Sequence, residues 1–300
     1  MISKKTLVLG SAGQVSEALM ETKPNDFSDV IQKGLPEVDF LNPMAVLNVL
    51  NSEAPNIVIN AVAYTGVDKA ESQRDICRQI NATTVGLIAG WCKTHNALLV
   101  HYSTDYVFDG SGHQPRSETD PTGPVNFYGQ TKLEGEQLVQ ASGCHHVMLR
   151  TSWVYYHQGS NFVKTMLRLA TEKEELSIVC DQVGAPTYAT DIAVATYEIL
   201  RKYEQGRFAD GLYHFCNQGE TNWYDFASEI FALADARKQT YQAKQVQPLQ
   251  QGAIEIPKHK ILKKINKIYT IDYKTPAPRP LNSRLRLDKL HATGVQLPHW

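Results

Sequence analysis

Residues 6–16 read Thr6-Leu7-Val8-Leu9-Gly10-Ser11-Ala12-Gly13-Gln14-Val15-Ser16. A short apolar strand runs into two glycines three residues apart and then into the opening of a helix. Gly10 permits the tight turn, and Gly13 lets backbone come close to a pyrophosphate. The helix N-terminus beyond supplies N–H donors and the positive end of the helix dipole. Ser16 stands where a third glycine usually allows close helix–strand packing. A glycine pair by itself also marks ordinary turns; strand–turn–helix context is what makes this stretch a candidate dinucleotide site.

Working outward, residues 56–63 (NIVINAVA), 97–103 (ALLVHYS) and 147–153 (VMLRTSW) are further apolar runs. Continuous runs of this kind suit parallel strands covered on both faces. Helix-like stretches at 82–95 and 131–141 separate them, so the expected class is α/β, a Rossmann-type doubly wound parallel sheet. Beyond residue 155 the pattern loosens. Helices are expected over 161–170, from Asp191, and over 223–236. Strands are expected over 176–180 and 212–216, with 181–187 (DQVGAPT) as a loop. Residues 240–274 are polar and weakly periodic, and the lysine-rich 258–267 reads as a solvated face or edge strand. The expected division is a dinucleotide-binding domain over 1–155, joined by later segments near 185–216, and a smaller substrate domain over most of 156–300.

Bulk properties narrow the function. In 300 residues, 30 Lys and Arg face 31 Asp and Glu, giving a net charge of −1. No long-range field therefore favours nucleic acid or an anionic membrane. Cys77, Cys92, Cys144, Cys180 and Cys216 are odd in number and scattered, as expected of reduced thiols in the cytoplasm. The apolar run near the N-terminus is broken by Gly10 too early for a signal peptide or membrane span. The ten histidines show no HxxxH or HExxH spacing, and no GxSxG elbow is present, so neither a metal nor a serine nucleophile is expected.

The cofactor's ribose partner would close the second strand near Asp29-Val30-Ile31. That segment ends in Gln32-Lys33 instead of an acid. Lys33 is either a surface lysine or a partner for a 2′-phosphate, so the cofactor is read as NAD(P)H with a lean towards NADPH.

Tyr128-Gly129-Gln130-Thr131-Lys132 places a phenol and an ammonium at i and i+4, on one helix face. A nearby cation favours the phenolate and brings an otherwise weak acid towards proton exchange. Such a pair also arises where tyrosine merely packs and lysine is solvated. Ser103-Thr104-Asp105 adds hydroxyls at the end of a strand, the edge where ligands bind in open parallel sheets, although turn and capping roles suit the same residues.

Together these stretches resemble the extended short-chain dehydrogenase/reductases, and more closely the dTDP-4-dehydrorhamnose reductase family. The resemblance spans nearly the whole chain. It rests on GSAGQV (10–15), NAVAYTGVDKAE (60–71), VHYSTDYVFDG (100–110), YGQTKLEGE (128–136), LRTSWVY (149–155), NFVKTMLRLA (161–170), DQVGAPT (181–187) and TPAPRPLNSRL (275–285). It implies a Rossmann domain with a small sugar-nucleotide domain, and hydride transfer from NADPH or NADH to C4 of dTDP-4-dehydro-L-rhamnose.

By position, Tyr128 would donate the proton, Lys132 would hold the cofactor and tune Tyr128, and Thr104 would polarise the keto oxygen. Asp105 and Trp153 would meet the sugar or its nucleotide, and Arg279 is a candidate diphosphate partner. Gly10, Ser11, Ala12, Gly13, Gln14 and Val15 would wrap the pyrophosphate. Asp39 and Phe40 would border the adenine, with Ala63, Tyr64, Thr65 and Tyr102 along the groove. Trp153 as a core aromatic and Arg279 as a solvated residue are the competing readings. The sequence departs from the family at Ser16, at the missing second-strand acid and at Gly66, and it ends at Trp300 where members often continue into a helix. Some members bind a divalent ion at a dimer contact through glutamates; that set is not placed in this sequence, so no metal is expected, and a homodimer is left open. The alternatives are an epimerase or dehydratase of the same superfamily, and a non-catalytic subunit like the regulatory subunit of methionine adenosyltransferase.

Overall fold

A computed structural model describes residues 4–244 and 261–300. Residues 245–260, within the polar stretch noted above, lie outside the described residues. Thr6–Leu9 (β1), Val30–Lys33 (β2), Ile57–Asn60 (β3), Leu98–Thr104 (β4) and His146–Thr151 (β5) form a parallel sheet, joined beyond β5 by the strand Gly211–His214. The spatial order is 211–214, β5, β4, β3, β1, β2. The order reverses between β1 and β3, and a doubly wound sheet opens its ligand crevice at that switch point, outside the carboxyl ends of the strands.

Alternate strand residues feed opposite faces, as a two-residue period requires. Val8, Ile57, Ile59, Val100 and Leu149 pack with Ala18 and Leu19 of the helix Gln14–Glu21 (α1) and with Ile192 and Leu200 of the helix Ala189–Glu204. Leu7, Leu9, Val58, Leu99 and Met148 pack with Val46, Leu50, Val85 and Ile88 on the other side. Removing each such side chain from water contributes about 1.5–3 kcal/mol, which secures the sheet that positions the site. A third apolar cluster joins the helices Phe162–Glu172 and Trp223–Lys244 with Ile178 and Ile265, from the parallel strands Glu175–Val179 and Lys264–Ile268.

The element boundaries shift where single residues intervene. The strand expected over 147–153 stops at Thr151, because Trp153 adopts φ +48°, a left-handed conformation that extended chain cannot accommodate. The helix expected over 131–141 starts four residues earlier, at Phe127. Asn126 caps it, accepting from Gly129 N at 2.8 Å. Gly129 lies inside the first turn without ending it, because the helix presses against Tyr106: a Cβ on Gly129 would sit 2.1 Å from the Tyr106 carbonyl oxygen. The helix expected from residue 82 is preceded by a π-helical turn, Gln79–Thr83, that runs into Thr84–His95.

Candidate active site

At the switch point Gly10 takes φ +110°, a conformation open to glycine and costly for other residues. Gly13 caps α1 in an extended conformation. Ser16, in place of the usual third glycine, is fully buried; its hydroxyl donates to the Gly13 carbonyl at 2.9 Å and accepts from Gly13 N at 3.2 Å. The serine thus ties the turn to the helix it opens. Ser11 Oγ donates to the Leu35 carbonyl at 2.8 Å. Among the described residues the amides of Ser11 and Ala12 have no hydrogen-bond partner, and Ala12 and Gly13 are exposed. Unpaired donors at a helix N-terminus behind a left-handed glycine fit a pyrophosphate.

Gln32 Nε2 donates to the Gly10 carbonyl at 3.0 Å, so the residue in the place of the ribose-binding acid braces the turn instead. Lys33 follows it, only loosely tied to Glu37 at 3.7 Å. Gln14 is held at both ends of its amide: Oε1 accepts from Asn161 Nδ2 at 2.9 Å, and Nε2 reaches the Val154 carbonyl at 3.4 Å. Asp39 Oδ1 accepts from Leu41 N, while Phe40 turns its ring into the core beside Leu7 and Leu9. After β3, Ala63 and Tyr64 are half-buried and Thr65 is exposed. Asn81, which sequence reading missed, accepts from Tyr64 N at 2.8 Å and donates to Tyr64 O at 3.1 Å and Thr131 Oγ1 at 3.2 Å. It joins the loop after β3 to the Tyr128 helix from inside the π-helical turn, a distortion that recurs at functional sites. Nothing in the sequence near Asn81 marks that turn.

Thr104 ends β4 and caps the short 3₁₀ turn Asp105–Val107, accepting from Tyr106 N at 3.2 Å. Its hydroxyl donates to Asp105 Oδ1 at 3.0 Å. Tyr128 packs edge-on against Tyr106, with centroids 5.6 Å apart. Burial raises the Tyr128 phenol above its usual pKa, and hydrogen bonding from Thr104 pulls the other way. The protonated phenol is therefore the resting form. Lys132, one turn on, is 1% exposed and donates to the Tyr102 carbonyl at 2.7 Å. Burial lowers its pKa to about 8, and the Glu136 carboxylate opposes that shift. Of Tyr102, only this carbonyl faces the lysine; its phenol binds Thr196 at 2.8 Å, in the core.

His101, also unremarked in the sequence, lies 3.5 Å from Lys132 Nζ and 3.2 Å from Asn60 Nδ2. Burial and the Lys132 charge hold it neutral, well below the ordinary histidine pKa. Glu136 completes the helix face with a buried, two-pronged bond to Arg150 of β5, at 2.8 and 2.6 Å. Asp105 is buried, and its pKa is raised to about 6 by burial, against the pull of Ser283 and Thr104.

Farther along, Trp153 stacks on Trp223 with centroids 3.6 Å apart. Gly184, from the DQVGAPT loop, lies beneath it, and a Cβ there would meet the indole at 2.9 Å. The structure pairs Arg279 with Asp68 at 2.9 Å, leaving the guanidinium mostly covered. Among the described residues no group of three or more His, Cys, Asp or Glu side chains is placed to hold a metal ion. No helix among them is long and apolar enough to cross a membrane.

A strand-end hydroxyl, a phenol and a buried cation on one helix, and a phosphate-type turn at the switch point agree with comparisons to known proteins. Residues 4–300 match the family model described as RmlD substrate binding domain. dTDP-4-dehydrorhamnose reductase from Escherichia coli K12 is 44% identical over 263 residues, covering 87% of this chain and 82% of the relative. Its counterpart from Sinorhizobium fredii is 39% identical over 296 residues, 98% of this chain and 93% of the relative. The crystal structure of dTDP-4-dehydrorhamnose reductase from Bacillus anthracis Ames, in complex with NADP, superposes with a TM-score of 0.85 at 31% identity, covering 100% of this chain and 96% of that one. This chain belongs to the dTDP-4-dehydrorhamnose reductase family.

Proposed function

We propose that the protein reduces the 4-keto group of dTDP-4-dehydro-L-rhamnose with NAD(P)H, giving dTDP-L-rhamnose. The observation that carries this reading is the grouping of Thr104 at the end of β4, Tyr128 edge-on against Tyr106 at 5.6 Å, and the Lys132 ammonium buried one turn away. Ser11, Ala12, Gly13 and the α1 N-terminus would hold the pyrophosphate, and Lys132 would hold the nicotinamide ribose. The bound cofactor supplies hydride to C4. Tyr128 gives its proton to the C4 oxygen as negative charge develops there, and Thr104 donates a hydrogen bond to the same oxygen. Preorganised donors of this kind stabilise the transition state more than the ground state. Lys132 stabilises the phenolate that remains and keeps the ribose in register. Asp105 and Trp153 border the sugar nucleotide, and Arg279 approaches its diphosphate on giving up Asp68.

The division of labour follows the layout of the fold. The large sheet would carry the cofactor, and the aromatic cluster around Trp153 and Trp223 the sugar nucleotide. Five free cysteines, four of them buried, suit the reducing cytoplasm in which nicotinamide reductions run. Lys33 at the end of β2 would favour the 2′-phosphate of NADPH; equal catalytic efficiency with NADH would overturn that preference.

The test is incubation of purified protein with dTDP-4-keto-6-deoxy-L-mannose and NADPH or NADH, following absorbance of the reduced cofactor. Stoichiometric oxidation is expected. Isomerised sugar without net cofactor oxidation would instead mark an epimerase, and no turnover with either cofactor would point to a non-catalytic subunit.

A further inference from the structure

We propose that Asn126 is a positioning residue for the proton donor. It couples the proline-rich segment 275–280, and Arg279 within it, to the first turn of the helix that carries Tyr128. Engagement of a substrate diphosphate by Arg279 then sets where Tyr128 stands. This coupling rests on the reductase reading above, with Arg279 as the diphosphate partner, and adds a connection between that contact and the chemistry.

Asn126 uses both ends of its amide and is 6% exposed, so water competes little for either end. Oδ1 accepts from Gly129 N at 2.8 Å, which caps the helix Phe127–Ser142. Nδ2 donates to the Pro278 carbonyl at 2.8 Å, joining segments 152 residues apart. Capping does not require that second bond. Aspartate and serine cap a helix about as well as asparagine, but a carboxylate has no donor and a serine side chain ends one atom short of the amide nitrogen. Tyr128 is the second residue of the helix, on the turn that the amide holds.

The segment on the other side of that bond is stiff. Pro276, Pro278 and Pro280 alternate through Thr275-Pro276-Ala277-Pro278-Arg279-Pro280, and each ring locks its φ. Proline-rich chain behaves as a semi-rigid spacer, so a pull on Arg279 passes to the adjoining Pro278 carbonyl. Asp68 holds the segment through both carboxylate oxygens: Oδ1 accepts from Ala277 N at 3.2 Å, and Oδ2 pairs with Arg279 at 2.9 Å. The Ala277 carbonyl accepts from Arg279 Nη1 at 3.0 Å and from Thr275 Oγ1 at 2.8 Å. At the far end, Asn282 N donates to the Gly110 carbonyl at 3.0 Å, and a Cβ on Gly110 would lie 2.4 Å from Pro280. The half-exposed ion pair with Asp68 is thus the place where the segment can yield, while the packed Pro280 end stays put. Glu71, just past the turn that carries Asp68, accepts from Phe127 N at 2.8 Å. The first turn of the Tyr128 helix is therefore held by Glu71 and by Asn126, and the Asn126 side leads to Arg279. When Arg279 gives up Asp68 for a diphosphate, the pull reaches the helix through Pro278 and Asn126. A displacement near 1 Å at a reacting group changes a rate by about 10²-fold, so a small movement suffices.

The experiment measures melting, NADPH binding and steady-state reduction of dTDP-4-keto-6-deoxy-L-mannose by Asn126→Ser, Arg279→Gln and the double variant. Asn126→Ser keeps a cap, so its melting temperature and NADPH affinity should stay close to wild type. Its kcat should fall by about 10- to 100-fold with KM for the sugar nucleotide within about twofold, since Arg279 still meets the diphosphate. Arg279→Gln should raise KM and lower kcat. In the double variant the two losses in kcat should not multiply, because residues acting along one path are coupled. Asn126→Asp, which keeps the shape and the cap without the donor, should match Asn126→Ser and serves in its place if the serine variant fails to fold. Wild-type kcat in a stable Asn126→Ser would overturn the coupling, as would losses that multiply in the double variant. A fall in melting temperature that accounts for the lost activity would leave Asn126 a helix cap alone, and overturn it too. Absence of NADPH oxidation by wild type is a different failure, since it defeats the reductase reading on which the coupling stands.

Discussion

The sheet edge at Thr104 and the aromatic patch at Trp153 are built by opposite means. At the edge, polar and charged groups are sunk in the protein and held by directed hydrogen bonds. Lys132, Glu136 and Arg150 are all under 4% exposed, and the last two are joined by a two-pronged bond. The patch is made of rings. Trp153, Trp223, Phe162 and Phe226 lie against one another, and one hydrogen bond, from Trp223 Nε1 to Gln182 at 3.0 Å, restrains the indoles. The difference follows from the forces each uses. Electrostatic stabilisation in a dry site depends on fixed geometry, whereas stacked rings tolerate sliding at modest cost. On the proposed reading, proton transfer would fall to the rigid edge, and recognition of a planar base or a sugar face to the yielding patch.

Removing the phenol breaks the rigid side most severely. Tyr128→Phe keeps the packing against Tyr106 and deletes the proton donor, so kcat should fall by about 10²–10⁴. Cofactor affinity, measured by fluorescence titration, should hold. The same edge sets a pH limit. Lys132 is charged below its pKa of about 8 and neutral above it. Its hold on the ribose and on the developing phenolate therefore weakens as pH rises through that value. The profile of kcat/KM should decline there, and a flat profile up to pH 10 would deny Lys132 a charged role.

The next largest effect tests whether burial of charge holds the edge together. Glu136→Ala leaves Arg150 without its partner, next to the ring of Phe108 at 4.9 Å. Breaking a buried pair in this way costs about 3–5 kcal/mol, read as a lower denaturant midpoint. Glu136 also opposes the burial that lowers the Lys132 pKa. In any Glu136 variant that still folds, the alkaline limb of the activity profile should therefore move to lower pH. A stable variant with an unmoved limb would show that the pair is ornamental to both.

How much of this was legible in the sequence follows the same division. The strand–turn–helix at Gly10 and the Tyr128–Lys132 spacing are local patterns, and the structure puts both at the carboxyl edge of the sheet. What stayed hidden depends on contacts between distant segments. Asn81 matters because a π-helical turn aims it at Tyr64 and Thr131, and no local pattern announces such a turn. Gly129 is a poor helix former by propensity, and what favours it in the first turn shows only when the Tyr106 carbonyl is seen against it. Ser16 reads as a lost glycine, yet its hydroxyl repairs the turn. Trp223 carries no motif, and only the fold stacks it on Trp153. Arg279 reads as a phosphate ligand from its chemistry alone, and the fold shows the acid that holds it in the meantime.

Gly129 offers a smaller disturbance of the edge. An alanine methyl would land 2.1 Å from the Tyr106 carbonyl oxygen, so the first turn of the Tyr128 helix must move away. Overpacking of this kind costs about 1–3 kcal/mol. Activity should suffer beyond the loss of stability, since a displacement near 1 Å can cost about 10²-fold in rate. Thermal melting and steady-state rates on the same preparation separate the two effects. A variant that melts lower but keeps full kcat would mean that the edge is less exacting than its packing implies.

The mildest expected effect is on the patch, and it measures how yielding that side is. Trp223→Ala removes the ring under Trp153 and the bond to Gln182, but leaves the sheet edge untouched. An aromatic pair is worth about 0.5–1.5 kcal/mol beyond its buried area, so KM for the sugar nucleotide should rise by about 2- to 13-fold if the stack presents Trp153 to the substrate. The kcat value should stay close to wild type, because no group that meets the transferring proton or hydride has moved. Trp223→Phe, which keeps a ring without the indole N–H, should recover most of the affinity. A fall in kcat with KM unchanged would reverse the assignment, making the patch part of the chemistry and the contrast between the two regions false.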